Sequence, residues 1–447
     1  MRHIRCGKLF TGLSDKLETE QTVVIDNDKI SFVGPTAQAP ELAQGDQVLD
    51  HSENFVMPGL IDMHVHLSYG NAKTEEDIDL YAPVEFRAIR GLEAAQRVLA
   101  AGFTTIADPT TTGHVSLAIR DAIDAGLFVG PRISSSGRQI TNRQGLSDWY
   151  PSWIGVPSTS IGVLCRDAAE GIAEIRLEVK DGVDFIKIAI DGDSMNPSTN
   201  ILVAGYNQDE MTAMVAEAHR LGKKVVVHAR GAEGVLYSAR AGADVIFHAA
   251  WMDDEGLEAV LKNNCALCPS LSLVINDIDF TRPGDGCYPD FPDAHKQELE
   301  QACRSLPKAY KAGVKFMFGT DSGFAVTPYG EWHARELEHY VKYLDISPAD
   351  ALKSATVNNG DFVREEGKVG ALEVGRFADL LVVDGNPLED ITILQDRTRI
   401  LEIIKSGETI NIEAKKNIRR LKSEFSYDLW SSVYTQELIG KIGMSPR

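Results

Sequence analysis

Apolar and polar positions follow two different rhythms along this chain. From residue 1 to about 57 they form short strand-like runs: HIRCGKLF, QTVVIDND, KISFVG and QVLDHS. Turn residues separate these runs, which predicts a small all-β segment. Such a segment is too small to bury a core alone. Matching runs return far downstream in ADLLVVDG (378–385) and RILEIIKSGETI (399–410). The pattern therefore predicts a β-sandwich assembled from residues 1–57 and 360–411. Between Pro58 and Gly360 the rhythm changes. Eight apolar runs alternate with amphipathic stretches: GLIDMHVHL, FTTIADP, PRISSSG, DFIKIAI, KKVVVHA, ADVIFHA, CALCPSL and KFMFGTD. Stretches such as DEMTAMVAEAHRLG and EGVLYSARAGA read as helices closed by glycine C-caps. Eight alternating β and α units over 58–359 predict an α/β fold, a (β/α)8 TIM barrel. Residues 412–447 are left as a C-terminal tail.

In a barrel of this kind the active site lies at the C-terminal ends of the strands. That rule gives the chemistry-bearing residues a common address. His64 and His66 end the first run, Lys187 lies late in the fourth, and His228 and His248 end the fifth and sixth. Asp321 follows the eighth. A single His-x-His says little, but side chains two apart on a strand share a face and can grip one ion. A lysine inside DFIKIAI is an uncompensated charge unless it is paired or modified. Together the six predict a metal site at one end of the barrel. Cys265 and Cys268 form the one C-x-x-C of the chain and sit in an apolar run, so they read as buried core thiols.

The residues PGLIDMHVH, the Lys187 strand, VVVHARGAEG, VIFHAAWMDDE, FGTDSG and GALEVGRFADLLVVDGNPLEDI together resemble the amidohydrolase superfamily. The resemblance spans roughly residues 2–411. It is similar to the branch holding Xaa-Pro and Xaa-Arg dipeptidases, ochratoxin-type amidases, and molinate or phenylurea hydrolases. It implies a binuclear centre. His64, His66 and Asp321 would hold one divalent ion, and His228 and His248 the other. Lys187, carboxylated by CO2, would bridge them. Zinc is the expected ion; Mn, Co and Fe suit the same donors. A metal-bridging hydroxide would attack the substrate, with Asp321 as general base and then acid. His228 is followed by Ala229, Arg230 and Gly231, so the His-x-x-Glu of the deaminases is missing. Imidazolonepropionase-like enzymes lack the lysine.

Substrate contacts are read from the surroundings of the ligands. Arg230 shares a strand face with His228 and is a candidate to stabilise an oxyanion or bind a carboxylate. Tyr206 and His333 are further pocket candidates. The segment after the third run departs from the family pattern by carrying Trp149, Tyr150 and Trp153, an aromatic wall for an apolar substrate. The expected reaction is hydrolysis of an amide, carbamate or urea C–N bond in a small, aromatic molecule. The alternatives are an Xaa-Pro-like dipeptidase and a non-catalytic assembly protein, which would have lost ligands that are complete here.

Charge narrows the partners. The 447 residues carry a formal net charge of −20, which disfavours nucleic acid. There is no apolar run of membrane-spanning length and no signal-peptide core at the N-terminus. The expectation is a cytoplasmic homo-oligomer acting on a small molecule. The tail's basic run, Lys415 to Arg420, reads as a solvated helix face, and the aromatics after it as a docking element.

Overall fold

The N-terminal alternation folds into long strands, Arg2–Phe10, Leu17–Asp26, Lys29–Pro35 and Gln47–Pro58. Asp26 pairs with Lys29 across a tight turn in which Asn27 takes φ 54°, a conformation asparagine tolerates. This computed structural model describes residues 1–193, 199–282, 290–412 and 434–444. Gln47–Pro58 joins the two ends of the chain. Its residues Gln47 to Val56 pair in parallel with Arg2–Phe10, and Phe55 to Pro58 pair antiparallel with Leu380–Val383. Ile400–Lys405 and Glu408–Thr409 then complete a seven-stranded sheet. Strands from both ends of the chain therefore meet, but in one continuous sheet rather than two facing ones, because a single long strand pairs along both of its edges.

Beyond Pro58-Gly59 the same strand runs into the central region. Leu60–Asp62, Phe103–Asp108 and Arg132–Ser135 form a parallel three-stranded sheet. A second sheet runs Ala266–Cys268, Val245–His248, Val225–Ala229, Ile186–Ala189, Gln139–Thr141, Gly162–Leu164. Seven of the eight apolar runs are strands. The eighth, around residues 315–321, is not, although it carries ladder bonds on both sides. Leu267 N–H donates to Lys315 O at 3.0 Å, Met317 N–H to Leu267 O at 2.8 Å, and Met63 N–H to Phe318 O at 3.0 Å. Its extended course ends at Gly319, where a Cβ would lie 2.6 Å from Cys268 Sγ and 2.8 Å from His64 Cβ. On the other side, Asp184 N–H donates to Ser135 O at 2.7 Å. Among the described residues the central strands thus form two sheets linked by such bonds.

Both faces of these strands are buried, which explains their unbroken apolar runs. Val225, Val227, Ile246 and Leu267 pack into the large core shared with the helices. Their neighbours Val226, Val245, Phe247, Ala266 and Cys268 pack into a second, smaller core with Ile61, Met63 and Met317. Capping fixes the helices between. Asn207 and Glu210 form a reciprocal capping box on Gln208–Arg220, and Gly182 and Gly242 close their helices in the left-handed conformation. The thiols of Cys265 and Cys268 are buried and unpaired, and burial pushes Cys265 up to about 12.

The basic run 415–420 and the aromatics at 425–430 lie outside the described residues. Residues 434–444 do dock. Tyr434 N–H donates to Ala325 O at 3.0 Å, Trp332 Nε1 donates to Tyr434 O at 2.6 Å, and Ile439 packs with Leu273 and Val326.

A buried ion pair ties the end sheet to the central region. Arg132 pairs with Asp379, donates to Ser406 Oγ at 2.7 Å, and lies 4.2 Å from the centre of the Phe377 ring. Asp379→Ala leaves a buried guanidinium without its carboxylate. The expected loss is about 3–5 kcal/mol in chemical denaturation. Arg132→Met combined with Asp379→Leu restores most of it.

Candidate metal centre

The strand Leu60–Asp62 ends in a carboxylate that binds backbone rather than solvent. Asp62 Oδ1 accepts from His64 N–H at 2.9 Å and Thr320 N–H at 3.1 Å. Its Oδ2 accepts from the Thr320 hydroxyl at 2.6 Å and meets His333 Nδ1 at 2.7 Å. These bonds hold residues 62–64 against residue 320. Past this point His66 N–H donates to Ser322 O at 2.8 Å and Ser322 N–H to His64 O at 3.1 Å. Asp321, between them, takes φ 57°. Its carboxylate turns onto the two imidazoles, with Oδ1 at 3.0 Å from His66 Nε2 and 3.5 Å from His64 Nε2.

His64, His66 and Asp321 each offer one donor atom, all within 4.8 Å of one another, and all three are buried. The hydrogen bonds of the outer nitrogens decide what this trio wants. His66 Nδ1 faces the Thr110 carbonyl at 3.2 Å, and a carbonyl only accepts, so the proton sits on Nδ1. Nε2 faces a carboxylate oxygen at 3.0 Å, and a proton or a metal ion lies between two such atoms. His64 Nδ1 is held in place by the Ser270 hydroxyl at 2.8 Å. Burial drives His64 far below its usual pKa. Burial pushes the other way on Asp321, but His64, His66 and Arg230 outweigh it and keep the carboxyl ionised, below its usual range. Neutral imidazole and carboxylate are the donors a divalent metal takes.

Across the cavity stand the remaining three. Lys187 is buried on Ile186–Ala189, its Nζ 4.0 Å from the centre of the Phe247 ring, and burial lowers it to about 7. The His228 and His248 rings lie 4.7 Å apart, and His248 lies 5.5 Å from His64. Burial, then the nearby Arg230 charge, drives both histidines well down. His228 Nε2 meets Gly192 O at 2.9 Å, while His248 Nδ1 is buried with no partner among the described residues. His248 and Ala249 take φ 69° and 55°. Left-handed backbone at non-glycine residues costs on the order of 1–3 kcal/mol each and gathers at functional sites. All six expected ligands line one cavity.

Arg230 lines this cavity too. It is 2% exposed and forms an ion pair with Glu298, from the helix Phe291–Lys311. Asp191 supports it from behind, accepting from Arg230 N–H at 2.9 Å and Gly231 N–H at 2.9 Å. Trp149 is buried in the cavity wall with Tyr69 and Phe324. Three expected substrate contacts lie elsewhere. Trp153 is 84% exposed and outside the wall. Tyr206 is a core residue whose hydroxyl is shared between Thr141 O at 2.8 Å and Cys165 O at 2.9 Å. His333 does not reach the cavity and acts on it through Asp62. Sequence reading missed Asp62, Ser270 and Glu298. Asp62 was open to it, two positions before His64 on an alternating strand. Glu298 was not, since 68 residues separate it from Arg230.

Comparison with known proteins agrees with this geometry. Residues 55–410 match the model of the amidohydrolase family. The chain is 28% identical over 427 residues to an ochratoxinase of Aspergillus niger, covering 91% of this chain and 85% of that one. It superposes on a Xaa-Pro dipeptidase crystallised with methionine in its active site, with TM-score 0.81 and 29% identity over 92% of this chain and 99% of that one. It superposes on a molinate hydrolase with TM-score 0.74 and 22% identity over 92% and 94%, a likeness of fold alone.

Metal content measured by mass spectrometry tests the centre. The native chain is expected to retain divalent metal through desalting, and His66→Ala and Asp321→Ala to lose it. Ser270→Ala, which removes only the support of His64, should weaken zinc affinity by about 10–100-fold.

Proposed function

The chain belongs to the amidohydrolase family and is a hydrolase; from that premise we propose that it cleaves an amide-type C–N bond, in an amide, carbamate or urea, of a small molecule carrying an aromatic group. The observation that carries this reading is the convergence of four histidines, the Asp321 carboxylate and Lys187, lowered to about 7, on a single cavity.

We read residues 58–359 as a closed (β/α)8 barrel. The alternation of its strands between two buried cores supports this. His64, His66 and Asp321 would hold one divalent ion and His228 and His248 a second, with zinc the expected metal. Burial lowers Lys187 to about 7, which favours its unprotonated amine. Its free amine can attack CO2: the N–C bond forms, a proton leaves, and an anionic carbamate with two donor oxygens results. Carboxylated Lys187 would then bridge the two sites. Ions so held lower the pKa of water and polarise a carbonyl oxygen.

The chain's own residues supply the rest. Asp321, kept ionised, takes the proton of the attacking water and returns it to the leaving nitrogen. Arg230, fixed by Glu298, directs guanidinium N–H groups at the oxygen that gains charge. Because Glu298 already neutralises that guanidinium, the pairing favours an uncharged carbonyl over a substrate carboxylate. Trp149, Tyr69 and Phe324 offer apolar walls to an aryl group. The likeness to a Xaa-Pro dipeptidase supports a second reading, a dipeptide substrate in the same chemistry. We further propose a homo-oligomer in the cytoplasm with small-molecule partners only.

Two experiments test this. Asp321→Asn is expected to keep the fold and lower kcat on the best of a panel of aryl amides, carbamates, ureas and Xaa-Pro dipeptides by about 10²–10⁴-fold; near-native turnover removes Asp321 from the mechanism. Separately, protein equilibrated with ¹³C-bicarbonate should show a carbamate carbon resonance that is absent in Lys187→Ala.

A further inference from the structure

A second cavity adjoins the first and shares Leu273 and Phe324 with it as a common wall. Its other apolar sides include Phe291 and Val326. Leu273 and Val326 are backed from outside by Tyr434 and Ile439 of the C-terminal segment, which keeps this wall fixed. Two polar side chains break the apolar lining. His295 is 1% exposed, and its Nδ1 lies 2.7 Å from Asp277 Oδ2. The other oxygen of Asp277 accepts from the Thr281 hydroxyl. A carboxylate only accepts, so His295 Nδ1 carries a proton, and the tautomer with that single proton has its lone pair at Nε2. That nitrogen is buried and has no hydrogen-bond partner among the described residues. A buried acceptor left unsatisfied is costly, and a ligand that donates to it recovers the loss.

The helix that carries His295 also carries Glu298, one turn on, which holds Arg230 in the metal cavity. One rigid element therefore sets both the reacting site and the neighbouring acceptor.

We propose that this cavity is a side-group subsite of the catalytic pocket. It takes an aromatic ring bearing a hydrogen-bond donor, a phenolic hydroxyl or an equivalent N–H, received by His295 Nε2. Its role as a subsite rests on the amide-hydrolase reading, whereas ring binding does not. Lys73 also lines the cavity, so an aryl carboxylate is the competing ligand.

The test titrates the metal-loaded protein with three probes of one shape: 4-methylphenol, toluene and 4-methylbenzoate. Native protein is expected to bind 4-methylphenol roughly tenfold more tightly than toluene, the value of one hydrogen bond between neutral groups. His295→Leu should lose that preference and keep its toluene affinity. Equal binding of phenol and toluene, or tightest binding of 4-methylbenzoate, overturns the proposal. If His295→Leu does not fold, ¹⁵N-imidazole spectra of native protein decide: the His295 Nε2 resonance moves with 4-methylphenol and not with toluene, and an unmoved resonance refutes the contact. Turnover of Tyr-Pro against Phe-Pro, and of 4-hydroxyphenyl against phenyl amides, separates the two readings. Amide hydrolysis that ignores the hydroxyl leaves the enzyme and removes the subsite. Phenol-selective binding without hydrolysis leaves the ring site and removes the enzyme reading.

Discussion

The metal centre depends on Asp62, a buried carboxylate that touches no reacting group. By accepting from His64 N–H, Thr320 N–H and the Thr320 hydroxyl, it locks the end of one strand to a segment 258 residues away. His64 is one of those anchor points and Asp321 directly follows the other. The placement of His64 and His66 against Asp321 is thus a property of backbone, fixed before any ion binds. His333 braces Asp62 from the far side. Preorganisation of this kind lets a metal meet its ligands without first ordering them.

Desolvation then sets the chemical character of the cavity. Removing imidazoles and a lysine from water favours their uncharged forms, and the direction is the same for His64, His228, His248 and Lys187. Asp321 goes against burial, because His64, His66 and Arg230 outweigh it. The outcome is a pocket of imidazole and amine nitrogens beside a carboxylate, which a divalent cation would complete. Arg230 belongs to the same balance. Its positive charge helps suppress protonation of His228 and His248, and Glu298 offsets the cost of burying it.

The aromatic residues divide along similar physical lines. Trp149, Tyr69 and Phe324 face the cavity, whereas Trp153, four positions after Trp149, stands in solvent. Composition of a loop says that aromatic surface is available. Which ring turns inward is decided by the walls it meets, here the cluster of Tyr69, Ala72, Ile78 and Ile161 that receives Trp149.

How far the sequence reached follows from the range of each interaction. Strand and helix periods are local, and so is the rule that chemistry gathers at strand ends. Seven of the eight central strands, the meeting of strands from both chain ends, and all six side chains that share the cavity were therefore legible in the chain itself, whereas the single sheet in which the ends meet was not. The eighth run failed as a strand because glycine and a left-handed aspartate bend it toward the histidines. Tyr206 and His333 were placed near the site by position in the chain, but a hydroxyl and an imidazole take the nearest buried partners, and those were Thr141, Cys165 and Asp62. The partnership of Arg230 with Glu298 and of Asp277 with His295 joins separate elements with no periodic signature. The sequence determined which donors exist and at which end of the strands they stand. Only the tertiary structure decided which of them are paired, which are left with an open lone pair, and what walls surround them, because burial and hydrogen-bond satisfaction are set by neighbours distant in the chain.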